Sequence, residues 1–151
     1  QFSPTPLASV TDETVNWKTY KDSKYGFELK IPDSWYVRKY DHTIFINETP
    51  IPDKGYLTHG LSTAIQINIF SDSRNTHIPS KTDLVTNITL GDKQATKAIL
   101  QEPTRLDGVY LTYITTKTSN TNYEIIFFNK DNKGTHNPIF DQILSTFKFT
   151  N

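Results

Sequence analysis

The run LSTAIQINIF, residues 61–70, places Ile65, Ile67 and Ile69 two apart, with Gln66 and Asn68 between them. Successive side chains of a strand point to opposite faces, so this spacing demands one buried face and one wetter face. That is the signature of an antiparallel sheet packed on one side. The same period appears upstream in YGFELKIPDSW, residues 25–35, where Phe27, Leu29 and Ile31 alternate with Glu28 and Lys30. Pro32 has no N–H to give a ladder and ends that run, and Asp33-Ser34 supply turn chemistry. Gly26 permits a backbone conformation, or a close approach, that a side chain would hinder. Trp35 is expected to fold back over the turn as a corner of the fold, not to stand out as a ligand platform. Tyr25, Gly26, Phe27, Pro32 and Trp35 are therefore assigned a structural role.

Further strands follow from composition and punctuation. WYVRKY and HTIFIN hinge at Asp41-His42, and GVYLTYITTKTSNTNYEIIFFN reads as a hairpin with its tip at Ser119 to Thr121. NITL and QATKAIL flank Gly91-Asp92 as a second strand pair. Ser80 followed by Asp83 resembles a helix cap and predicts one or two helical turns through Val85. At the C-terminus the period changes. Asn137 can cap, Pro138 suits the first helical position and Asp141 the first turn. Ile139, Phe140, Ile143, Leu144 and Phe147 then share one face, which predicts a helix laid on the sheet before a closing strand, FKFT. The first sixteen residues, QFSPTPLASVTDETVN, have no period and two prolines. They are expected to be a flexible tether, leaving residues 17–151 as a single domain.

Sixteen basic and sixteen acidic side chains cancel, so no net field would draw the chain to nucleic acid or an anionic membrane. No stretch reaches the roughly 20 consecutive apolar residues of a membrane-spanning helix. Cysteine is absent, which removes disulfides, thiolate catalysis and cysteine-ligated metals, and fits an oxidising compartment. Methionine is absent too, so the chain is expected to be the processed remainder of a longer precursor. Its twenty-two threonines and eleven asparagines suit a secreted β-rich protein. The sequons at Asn47 and Asn87 are no more than that composition produces by chance.

No reaction chemistry emerges from the motifs. NKDNKG, residues 129–134, starts like a calcium loop, but its fifth position is Lys133 and its twelfth is Phe140 where a bidentate glutamate belongs. His42, His59, His77 and His136 are scattered through predicted loops with no ligand spacing, although Asp41, Asp53 or Asp72 stand ready as oxygen donors to any tertiary cluster. Neither a Gly-x-Ser-x-Gly elbow nor Ser-x-x-Lys occurs, and the six glycines form no phosphate loop. Glu28 and Glu124 occupy polar positions of amphipathic strands, where a solvated carboxylate is the default expectation. Three arginines and evenly spread lysines offer no nucleic-acid footprint.

The run from Tyr25-Gly26-Phe27 through Ile31-Pro32 to Trp35, with the ending NPIFDQILSTFKFT, resembles the PsbP-like domains of bacterial lipoproteins and secreted proteins. The resemblance spans roughly residues 17–150. It implies an α+β fold, a central antiparallel β-sheet flanked by helices as an α-β-α sandwich of the PsbP type. It also implies no catalytic activity and no cofactor, since members typically act by binding other proteins. The expectation is a non-catalytic extracytoplasmic binding or assembly module, secreted, periplasmic or surface-anchored through a removed N-terminal segment. Its partner is expected to be another protein, met through the loops at 50–60 and 71–79, with Tyr56, Arg74 and His77 as exposed anchors. The alternatives are a loop-assembled metal-dependent hydrolase and a structural subunit of a surface assembly.

Overall fold

A computed structural model describes residues 13–51, 64–71, 76–101, 110–129 and 138–150. The alternating runs become β1 (Lys18–Asp22), β2 (Phe27–Ile31), β3 (Tyr36–Tyr40), β4 (Thr43–Asn47) and β5 (Ile65–Phe70). They continue as β6 (Leu84–Leu90), β7 (Lys93–Ile99), β8 (Tyr110–Lys117) and β9 (Asn122–Asn129). A helix, α1 (Pro138–Ser145), and a two-residue strand, β10 (Lys148–Phe149), complete the order. Seven strands form one sheet in the order β3-β4-β5-β9-β8-β7-β6, and three form another in the order β1-β2-β10. Every pairing is antiparallel.

The inner face of the large sheet carries Ile44 and Ile46 of β4, Ile65, Ile67 and Ile69 of β5, and Tyr123, Ile125 and Phe127 of β9. Phe27, Leu29 and Ile31 of β2 pack into the same core, as do Phe140 and Ile143 of α1. Phe27 stacks on Phe147 with ring centroids 5.2 Å apart, and Phe140 lies flat on Phe127 at 4.6 Å. The small sheet and the helix thus cover one and the same face, where they remove the apolar phase of each alternating strand from water.

This corrects the expected architecture. The protein is mostly β, with ten strands in two antiparallel sheets and a single short helix among the described residues, and it is not an α-β-α sandwich with flanking helices. The expected helical turns at 80–86 are the decisive loss. The Asp83 carboxylate accepts from the Ser80 backbone N–H at 2.9 Å and its hydroxyl at 3.1 Å, while Asp83 N–H donates back to Ser80 O at 3.2 Å. Those bonds close a turn instead of capping a helix. Val85, Thr86, Ile88 and Thr89 are β-branched, and a ladder to β7 is available to them from Leu84 onward.

Two glycines sit where the turns need them. Gly26 has φ 70° between β1 and β2, and Gly91 has φ 60° between β6 and β7. A Cβ on Gly91 would also lie 3.3 Å from the Phe147 carbonyl oxygen and from the Phe149 ring. Trp35 is buried at 7 % exposure, and its backbone N–H donates to Pro32 O at 3.0 Å to close the turn after β2. Lys18 Nζ donates to the Trp35 carbonyl. Residues 1–12 of the expected tether lie outside the described residues. Its last four residues form a turn in which Trp17 N–H donates to Thr14 O, and Glu13 accepts from Gln142 of α1.

Candidate functional site

The outer face of the large sheet has no covering layer among the described secondary-structure elements, and its polarity is set by register. One transverse row runs Asn87, Thr96, Thr115, Glu124, Asn68 and Thr43, one residue per strand from β6 to β4. At its centre Glu124 is only 4 % exposed. The Asn68 amide donates to Oε1 at 3.1 Å, and the His77 backbone N–H donates to Oε2 at 2.6 Å. Gln66 Nε2 in turn donates to Asn68 Oδ1 at 2.9 Å. Two neutral donors therefore hold a buried carboxylate. The expectation of a solvated Glu124 is corrected here, because residues 76–83 pass across the sheet above it.

That segment is fastened by its side chains as well. The His77 ring lies flat on Tyr113, 4.0 Å between centroids and 10° between planes, and its Nε2 is 3.2 Å from Asp83 Oδ2. Burial alone would raise the Asp83 carboxyl, but the hydrogen bonds from Ser80 and His77 outweigh it and hold the group below the usual carboxylate range. Burial pushes the Tyr113 hydroxyl up, and the charges of Glu124 and Asp83 add to the rise. Of the three expected anchors, Tyr56 and Arg74 lie outside the described residues. His77 is half-buried on Tyr113.

Beside this segment runs a groove of about 290 Å³, with Asn87, Gln94, Thr96, Thr115, Lys117 and Asn122 on its walls and Thr76 at one side. Its chemistry is that of amides and hydroxyls, each able to donate and accept, with one ammonium group. The groove residues escaped sequence reasoning because Thr, Asn and Gln in a strand's polar phase look like ordinary solvated surface. The only available signal was the coincidence of their phases across four strands, which requires the register.

The motif around Tyr25 builds a second polar cluster at the junction of the two sheets. Asp22, 4 % exposed, accepts from Lys39 Nζ at 2.6 Å, the Tyr25 backbone N–H at 3.0 Å and the Tyr20 hydroxyl at 3.2 Å. Burial would raise the Asp22 carboxyl, yet the bond from Lys39, then those from Tyr25 and Tyr20, hold it below its ordinary value. Burial, and after it the Asp22 charge, push the Tyr20 hydroxyl far up. Tyr25 O–H is 2.5 Å from His42 Nδ1, and Tyr123 O–H donates to the Tyr25 carbonyl at 2.5 Å. His59 and His136 lie outside the described residues, as does most of the calcium-like run. Among the described residues no group of three His, Asp or Glu side chains comes together to hold a metal ion.

No family model matches the chain, and no curated protein matches it. Among solved structures it is similar to a crystal structure from Bacteroides thetaiotaomicron, with a TM-score of 0.56 and 15% sequence identity. The match covers 89% of this chain and 49% of that one, so this chain spans about half its length. The likeness is one of fold.

Proposed function

We propose that the chain is a non-catalytic, extracytoplasmic binding module that receives an extended polar segment of a partner protein on the outer face of its large sheet. The observation that carries this reading is the groove, whose walls carry amides and hydroxyls from four adjacent strands, with Ala95 and the single ammonium group of Lys117 among them. Alternating peptide N–H and C=O groups find both kinds of partner in Asn87, Gln94 and Asn122. Lys117 offers a carboxylate on that segment a charge-assisted hydrogen bond. Among the described residues no aromatic ring lines the groove, which favours a polypeptide over a sugar ring that needs a stacking surface. The cysteine-free composition is compatible with the extracytoplasmic location, since no thiol is exposed to an oxidising medium.

Random linear peptides displayed on phage and selected against the purified chain test this reading. Enriched peptides should lose at least tenfold in affinity on Gln94→Ala and on Lys117→Ala, both at sites that leave the core untouched. Selection that enriches nothing, or peptides indifferent to both substitutions, would overturn it.

A further inference from the structure

Among the described residues four strands end the two sheets, and three of them are guarded. β1 (KTYKD) carries Lys18 and Lys21, β3 (YVRKY) carries Arg38 and Lys39, and β10 is two residues long. Charge and shortness are the usual devices that keep an edge from pairing with another chain. β6 (LVTNITL) has neither, nor a proline, over seven residues. Antiparallel strands direct alternate backbone groups to alternate sides, so half of its N–H and C=O groups point away from β7. Leu84 and Val85, at its start, are 56% and 47% exposed.

We infer that β6 pairs with β6 of a second copy of this chain, antiparallel about a twofold axis at Asn87. That register sets Leu84 opposite the partner copy's Leu90 and Val85 opposite its Thr89, so both exposed apolar side chains gain cross-strand neighbours. Asn87 faces its own copy, amide to amide. Since the strand contains no charge, nothing in it repels itself. Two β3 edges brought together would instead set cation against cation. The contact is isologous and therefore closes at two copies, leaving β3 as the outer edge on both sides. Side chains keep their face across such a pairing. The two outer grooves consequently meet at the axis as one trough with Asn87 of each copy in its floor. The inference stands on the edge alone and survives or falls apart from the peptide reading.

Sedimentation equilibrium over a wide concentration range should show a species of twice the 17.3 kDa chain mass. Val85→Lys should raise the dissociation constant at least tenfold. Adding Thr89→Glu to that variant should restore pairing, because residue 85 of one copy faces residue 89 of the other only in this register. Arg38→Glu should leave the dimer unchanged. A chain that remains monomeric at millimolar concentration, a dimer indifferent to Val85→Lys, or a dissociated variant that Thr89→Glu fails to restore overturns the inference.

Discussion

Asp22 and Glu124 are equally buried, each 4 % exposed, yet they are compensated in opposite ways. Asp22 has a cation, Lys39 at 2.6 Å, and two further donors. Glu124 is held by an amide and a backbone N–H. A carboxylate with a matched cation and fixed donors is a clamp, here between the two sheets at the β1–β2 turn. A carboxylate satisfied by one neutral donor of its own sheet and one of a crossing segment ties that segment to the sheet, and its charge is the costly part of the arrangement. The comparison separates a joint of the scaffold from a fastening on the outer face.

The widest gap should appear on truncation. Asp22→Ala strands the Tyr25 N–H and Tyr20 hydroxyl and is expected to cost about 3 kcal/mol of unfolding free energy in a urea melt. A loss below about 1 kcal/mol would remove Asp22 from the role of clamp. Acid should act on the same group. Its pKa is lowered in the folded state, so its stabilisation is present above the unfolded value of about 3.9 and is lost as pH falls through the folded value. Asp83 adds to that loss with the same sign. Melts between pH 7 and pH 2 should therefore show the decline confined to below roughly pH 4, and Asp22→Ala should flatten it.

His77→Ala removes the stack on Tyr113 and the bond to Asp83 and is expected to cost about 1 kcal/mol. Amide exchange over residues 76–83 should quicken in that variant while β8 and β9 stay protected. Exchange that rises equally in all three would make His77 part of the global core instead. The smallest effect belongs to Glu124→Gln. It keeps the shape and an acceptor for the His77 N–H but deletes the charge, so stability should move by less than about 1 kcal/mol in either direction. A cost near that of Asp22→Ala would erase the contrast between the two carboxylates.

What the amino-acid order determined by itself is local. Ile65, Ile67 and Ile69 specify a one-sided strand wherever they fold. Pro138, Asp141 and the shared face of Phe140 and Ile143 specify a C-terminal helix in the same way. Gly91 and Asp92 mark the turn that β6 and β7 flank. Each signal lies within a few residues, because strand and helix periods are properties of neighbouring side chains. Tertiary structure decided the rest. Whether residues 84–86 became helix or joined the NITL strand depended on β7 offering a ladder, which overrode a cap-like Ser80–Asp83 pair. Whether Glu124 met water or Asn68 and His77 depended on β5 and on residues 76–83, distant in sequence and adjacent only through register. The face on which α1 and the small sheet settled is likewise a product of long-range packing. Alternation fixes that a strand has two faces, and only burial against a particular neighbour says which of them is the inside.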